Sequence, residues 1–262
     1  MSKHINKVTA IGLFVALGII YGDIGTSPLY VFNSIIKDRL VNEELILGTL
    51  SLIIWTLTIL TTIKYVVLVL RADNRGEGGI FALYALVRRR RKWLVIPAMI
   101  GGAALLADGI ITPPITITSA VEGLKELPRF AGMEQNTIVM IVLAIIGIFF
   151  FSQQFGTHSI GRLFGPIMMI WFLMMAVLGL IHISDDFSIL HALNPYYALH
   201  FLFNYPEGFW LLGAVFLCTT GAEALYSDLG HCGRDNIRIS WAFVKICLLL
   251  NYFGQGASLL KH

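Results

Sequence analysis

The sequence predicts an all-α polytopic membrane protein arranged as a five-plus-five inverted repeat, and three observations predict it. Of the 262 residues 56% are hydrophobic and 13% charged, an apolar share above that of soluble domains. The apolar residues gather in seven blocks, near 11–36, 46–70, 95–123, 137–151, 162–183, 208–228 and 239–260, on the scale of the ~20 residues with which a helix crosses a bilayer. Glycine-rich interruptions beside an acid recur five spans apart, in the first and sixth blocks. Inverted-repeat transporters place paired broken helices at their substrate site in this way.

The first span carries Tyr21-Gly22-Asp23-Ile24-Gly25-Thr26-Ser27-Pro28-Leu29-Tyr30. An irregular segment at membrane depth is tolerated only where protein buries it or where it lines a cavity. A carboxylate there costs about 2.5–3.5 kcal/mol on insertion scales, so Asp23 is expected to have a function or a partner. Lys3 and Lys7 precede this span, but no small-residue cleavage pattern follows it, so the segment is expected to stay as a helix.

The loops set the orientation. Twelve basic residues fall on one side (Lys3, Lys7, Arg71, Arg75, Arg88 to Arg91, Lys92, Arg162, Arg234 and Arg238) and four on the other (Lys37, Arg39, Lys125 and Arg129). Positive loops stay inside, which predicts a cytoplasmic N-terminus. The run Arg88 to Lys92 beside apolar spans suits anionic lipid rather than nucleic acid. Lys64, Lys245 and Lys261 lie within or beside spans, where a lysine snorkels or pairs with an acid.

Between spans two and three, Arg71-Ala-Asp-Asn-Arg-Gly-Glu-Gly-Gly79 lacks the lysine and hydroxyl that complete a phosphate-cradling loop, so no nucleotide site is expected. Residues 80–92, apolar first and then basic, suit a short helix lying in the interface.

In span three, Asp108, Thr112 and Thr116 recur every fourth residue and share a helix face, continued less closely by Ser119 and Glu122. Pro113 and Pro114 donate no backbone hydrogen bond and leave the carbonyls of Gly109 and Ile110 free beside that stripe. Carbonyls, hydroxyls and carboxylates together are hard oxygen ligands. At 1.5 Å per residue, Asp23 and Asp108 each lie about 20 Å from the start of their spans, so they are expected to face one cavity. Glu122, about 21 Å beyond Asp108, is expected near the outer mouth.

The loop 184–207 is rich in aromatics and reads as an outer interfacial segment. Its histidines, His182, His191 and His200, are spaced too widely to build a local metal site on one helix face. Cys218, Cys232 and Cys247 have no paired spacing and read as packing residues. Span six ends Leu217-Cys-Thr-Thr-Gly-Ala-Glu-Ala-Leu-Tyr-Ser-Asp228, where Thr-Thr-Gly before Glu223 predicts local unwinding around polar ligands.

Six stretches carry a family resemblance: 21–30, 71–79, Ala107-Asp-Gly-Ile-Ile-Thr-Pro113, Ser119-Ala-Val-Glu-Gly123, Phe155-Gly-Thr-His158 and Gly221-Ala-Glu-Ala-Leu-Tyr-Ser-Asp-Leu-Gly-His231. The chain resembles the N-terminal part of a potassium uptake transporter of the KUP/HAK/KT family. The resemblance implies proton-coupled potassium uptake on an amino-acid/polyamine/cation-transporter-like fold in the bacterial inner membrane or a plasma membrane. Potassium ligands would come from Asp23, Tyr30, Asp108, Thr112, Thr116 and Thr220. Glu223 and Glu122 match further membrane glutamates of the family, with Glu223 the expected proton-coupling group. Protonation of such a carboxyl and occupation of the site by a cation oppose each other, which links the two ions. The partners implied are K+, H+ and the bilayer, with a homodimer as the candidate assembly and no cofactor. About twelve spans and a cytoplasmic C-terminal domain are implied for the family. Residues 9–183 then read as the first repeat and 208–260 as the start of a second, with the C-terminal domain absent.

Three competing readings give different expectations. An intramembrane aspartyl protease would use two acids around one water, but Leu106-Ala107 precedes Asp108 where such enzymes resemble one another in Gly-x-Gly-Asp. A same-fold carrier of amino acids or another small cation needs a pocket for the substrate body. An inactive fragment is the third. The reading adopted is a transporter and not an enzyme.

Overall fold

The computed structural model describes residues 8–37, 39–88, 91–153 and 158–261, and for 152–153 and 158–163 the backbone alone. Lys3, Lys7, Arg89 and Arg90 of the basic count, and Phe155 to Thr157 of the fifth family stretch, lie outside the described residues, as does the Arg162 side chain. All regular elements among the described residues are helical.

Span one is broken as its glycines and proline predict. Its first helix, Ala10–Ile20, starts under the Thr9 hydroxyl, which accepts the Gly12 amide at 3.0 Å. The chain turns by 67° into Gly22–Leu29 and resumes as Val31–Ile36. Span two is one rod, Glu43–Arg71. Asn42 caps it by accepting the Leu45 amide at 2.8 Å, and Glu43 and Glu44 favour its positive N-terminus. Its second half, Leu57–Leu68, widens into π-helix.

The helix after the charged loop is shorter than expected, Ile80–Val87 rather than 80–92. It leans on span three, with Ile80 and Phe81 against Gly101 and Gly102. Span three, Lys92–Glu126, stays continuous through Pro113 and Pro114. The fourth expected span is an apolar helix, Gln135–Phe151, shorter than the others. Spans five to seven are Phe164–Ile183, Gly208–Ser227 and Arg234–Lys261. Among the described residues five helices are long and apolar enough to cross a bilayer, six with the bent first span counted.

The segment 184–207 differs from the expected interfacial loop. It forms a 3-10 helix, Phe187–Leu193, and a helix, Pro195–Asn204, that buries Ala198 and Phe201 against span two. Gly48 makes this docking possible, because a Cβ there would lie 2.5 Å from the Phe201 ring. The aromatics on the other face, Tyr196 and Phe203, stay exposed as an interfacial position requires.

One apolar core joins spans one, two, five, six and seven, and it encloses Cys218, Cys232 and Cys247 as packing residues. Spans five and seven touch backbone to backbone at Gly179 and Gly254. Span three and helix 135–153 share a separate small cluster of Val121, Ile138 and Val142. Their remaining apolar side chains, such as Ile110, Ile148 and Phe151, face outward, as lipid contact demands.

Cross-contacts define the two ends of the bundle. Thr9 meets Asn236, and Asp73 pairs with Arg234 at 3.1 Å, at the end where the basic loops converge. At the opposite end Arg39 pairs with Glu207 at 3.3 Å and Lys261 with Asp185 at 2.8 Å.

A Cβ on Gly254 would lie 2.5 Å from the Gly179 backbone, so Gly254→Val is expected to destabilise the protein by about 1–3 kcal/mol through overpacking. The measurement is thermal unfolding in detergent. An unchanged midpoint would disprove the close approach of spans five and seven.

Candidate functional site

The site forms where the breaks of spans one and six touch. Each break frees backbone groups; those of the first are met by side chains of spans five and seven, and those of span six by turns within its own segment. Tyr21 ends the first helix and reaches span seven, where its hydroxyl donates to the Ile237 carbonyl at 2.9 Å and lies 3.0 Å from Ser240 Oγ. Trp171 of span five donates its indole N–H to the Gly25 carbonyl at 2.9 Å. Gln255 of span seven donates to the Pro28 carbonyl at 3.1 Å and to Asn251 Oδ1 at 2.8 Å. The Asp23 carbonyl accepts from Thr26 Oγ1 at 3.0 Å and Ser27 Oγ at 3.2 Å.

Span six breaks after Leu217–Thr219, with Thr220 extended (ψ 131°) and Gly221 at φ 83°. That left-handed geometry suits glycine. It also brings the two breaks together, because a Cβ on Gly221 would lie 2.6 Å from Asp23 Cβ and 3.0 Å from the Ile24 amide.

Seven of the eight expected residues gather at or beside this junction. The carboxyls of Asp23, Asp108 and Glu223 lie within electrostatic reach of one another. The Tyr30 hydroxyl lies 3.2 Å from Ser27 Oγ and within hydrogen-bonding reach of Thr220. Thr112 joins through Asp108, donating to Oδ1 at 2.9 Å, which realises the first rung of the expected ladder. Thr116, the second rung, lies 3.5 Å from the Thr26 hydroxyl and so meets span one at its break. Glu122 stands apart at the far end of span three, where it accepts from Gln135 Nε2 at 3.3 Å.

A cavity of about 560 Å³ reaches Asp108 and Glu223 from the basic end. Its walls are Tyr65 of span two, Ile80 and Leu83 of the short helix, and Ala104 and Leu105 of span three. Asp23 is not among its lining residues, so the single cavity expected for Asp23 and Asp108 is instead shared by Asp108 and Glu223. Among the described residues Glu223 forms no ion pair with a span lysine. Lys245 donates to Thr58 Oγ1 at 3.1 Å, and Lys64 lines the cavity with its ammonium 4.9 Å from the Tyr65 ring centre.

Sequence reading missed the residues that hold the breaks: Trp171, Gln255, Asn251 and Ser240. Only Trp171, Asn251 and Gln255 leave a signal in the sequence, as polar groups inside apolar spans. The three histidines go to separate places. His182 bonds the Leu178 carbonyl, His191 stacks on Tyr197, and His200 lies 3.7 Å from Glu44.

The family model for the K+ potassium transporter integral membrane domain matches residues 10–262. A "Probable potassium transport system protein Kup" of Cytophaga hutchinsonii is 61% identical over 98% of the chain and 39% of its own length. A protein of the same description from Flavobacterium psychrophilum is 62% identical over the same shares, 98% and 39%. A "Probable potassium transport system protein Kup 1" of Lactococcus lactis is 55% identical over 100% of the chain and 40% of its own length. The chain thus spans 39% to 40% of the length of these relatives. No solved structure matches it.

Because Gly221 combines φ 83° with a 2.6 Å approach to Asp23, Gly221→Ala is expected to cost about 1–3 kcal/mol. Gly22→Ala, with nothing within 4 Å of its Cβ, serves as the control. Equal melting midpoints for the two variants would show that the breaks do not depend on this contact.

Proposed function

Since the chain belongs to the K+ potassium transporter integral membrane domain family, whose relatives are named as transport proteins rather than enzymes, we propose that the whole protein takes up potassium in symport with protons. The observation that carries this reading is the meeting of oxygen-bearing side chains from three spans at the joined helix breaks. A dehydrated monovalent cation needs such a cage, with few charges and several neutral oxygens. Asp23, Asp108, Tyr30, Thr112 and Thr220 supply that mixture, and Thr116 extends it at the Thr26 contact.

Glu223 is the proton-coupling group in this reading. It faces the cavity beside Asp108 and belongs to the turn of span six rather than to a regular helix. A potassium ion nearby favours its charged form and departure of the ion favours the proton, so the two occupancies are linked through one carboxyl. Glu122 stands on the outer access route. The fold is an amino-acid/polyamine/cation-transporter-like inverted repeat, with residues 9–183 as the first repeat and 208–260 as the beginning of the second. Rocking of one repeat against the other would expose the site alternately to the two sides. The excess of loop lysine and arginine supports a cytoplasmic N-terminus, with the mouth of the cavity opening to the same side.

Three measurements test this. In the whole protein, Asp23→Asn and Asp108→Asn are each expected to abolish high-affinity uptake of potassium or rubidium into proteoliposomes, since the amide keeps the shape and loses the charge. Unchanged apparent affinity in both would remove the acids from the site. Glu223→Gln is expected to keep potassium binding while losing acceleration by an inward proton gradient, and retained pH-driven accumulation would move the coupling to another residue. Cysteines replacing Arg88 and Glu134 are expected to label from the cytoplasmic and outer sides respectively, and the reverse would overturn the orientation.

A further inference from the structure

The charged loop between span two and helix 80–87 contributes no atom to the cation site, yet it is folded tightly against the segment that carries Glu223. Asn74 and Glu77 exchange backbone hydrogen bonds of 2.9 and 3.1 Å. Arg75 and Gly76 take φ of 58° and 89° between them, and Asp73 Oδ2 accepts the Gly76 amide at 3.0 Å. This turn is docked on the inner half of span six and on the first residue of span seven. The Tyr226 hydroxyl donates to the Ala72 carbonyl, and Arg234 Nη2 donates to Asp73 Oδ1 at 3.1 Å. Glycines make the surfaces fit, because a Cβ on Gly78 would strike the Tyr226 carbonyl and one on Gly230 would strike the Glu77 carboxylate.

The docked segment begins at Glu223, whose carbonyl accepts the amides of Tyr226 and Ser227, both at 3.0 Å. Whatever moves Tyr226 therefore moves Glu223. On its other side lies the unwound stretch 220–223, with Gly221 in the left-handed region, where the inner half can hinge independently of Gly208–Phe216. Gly79, Tyr226 and Ser227 also line the cavity that reaches Asp108 and Glu223. The loop thus grips a wall of that cavity that adjoins the unwound stretch.

We propose that loop 72–78 is a latch that positions Glu223. While engaged, it ties the inner half of span six, through Ala72–Tyr226, to the start of span seven, through Asp73–Arg234, where the cavity stays open to the cytoplasmic side, and its release accompanies closure. The inference rests on reading that cavity as the inner access route. The ion pair suits a contact made and broken in each cycle. Both side chains are about one-third exposed, 35% and 36%, and such a pair is weak enough to part without arresting transport.

The test uses the whole protein with a cysteine replacing Ala104, on the opposite wall of the cavity and outside the latch, in inside-out vesicles exposed to a membrane-impermeant thiol reagent. The parent without this substitution supplies the background from Cys218, Cys232 and Cys247. Asp73→Asn keeps an acceptor for the Gly76 amide and removes the charge, and Arg234→Gln removes the other charge. Each is expected to slow labelling about fivefold, the lower range of a site-to-site coupling. The double variant should be no slower than either single one, because both remove the same interaction. Arg234→Lys should restore most of the rate. Tyr226→Phe, which deletes one hydroxyl, should slow labelling with the protein still monodisperse, so the test survives poor folding of a charge variant. Unchanged or faster labelling, or additive losses in the double variant, would overturn the latch. Labelling does not depend on potassium ligation. Failure of the Asp23 and Asp108 variants to affect uptake would therefore remove the cation site and leave this result intact.

Discussion

A helix interrupted inside a bilayer frees amides and carbonyls that lipid cannot satisfy, at a cost of several kcal/mol for each group left alone. Spans one and six are both interrupted, and the rest of the bundle is arranged to meet that demand. The Gly25 and Pro28 carbonyls receive side-chain donors from spans five and seven, Trp171 and Gln255. Asn251 ties the same two spans together by donating to the Met175 carbonyl at 3.2 Å while accepting from Gln255. These polar groups would themselves be costly in an apolar core, so the breaks and their donors stabilise one another. Removing either would leave the other unsatisfied.

Close packing decides where those donors can reach. Gly179 and Gly254 let spans five and seven touch through their backbones, which sets Asn251 and Gln255 at the level of the first break. Gly25 lies against Phe172, so close that a Cβ there would sit 2.7 Å from the ring, and this brings the neighbouring Trp171 within reach of the Gly25 carbonyl. Small residues serve the usual purpose of close helix approach in membranes. Span two contributes differently. Its π-helical half offers wider turns, and Thr62 Oγ1 both donates to the Leu57 carbonyl at 3.3 Å and accepts the Trp241 indole N–H at 3.0 Å. That half of span two also carries Tyr65 and Lys64 into the cavity wall.

Much of this was legible because membranes restrict what a sequence can do. A glycine, a proline and an acid inside an apolar run admit few interpretations, so both breaks and the positions of Asp23, Asp108 and Glu223 could be read from the chain. The four-residue spacing of Asp108 and Thr112 put them on one helix face, and the structure joins them there by a hydrogen bond. What the sequence did not disclose depends on distances between spans. Nothing local marks Trp171 as the partner of Gly25 or Gln255 as the partner of Pro28, since each pair is separated by more than a hundred residues. The segment 184–207 was misjudged for a related reason. Its aromatic composition describes the exposed face of Tyr196 and Phe203 correctly, but it conceals Ala198 and Phe201, which pack on span two.

The distribution of charge around the site carries the functional argument furthest. Three carboxyls converge where the breaks meet, and among the described residues neither span lysine pairs with them: Lys245 bonds Thr58, and Lys64 lines the same cavity with its ammonium over the Tyr65 ring. Like charges in a medium of low permittivity repel strongly, and an ordinary structural cluster would be expected to carry a fixed counter-charge. Among the described residues no ion pair joins a basic side chain to these acids. Under the proposed function mobile cations would stabilise a site assembled in this way, and two kinds fit its chemistry. Protons neutralise a carboxyl such as Glu223 directly, whereas a larger monovalent ion needs the neutral oxygens of Tyr30, Thr112 and Thr220 as well. On the proposed function, the mixture of acids and hydroxyls on three spans, two of them broken at this level, favours exchange of cations over permanent retention of one.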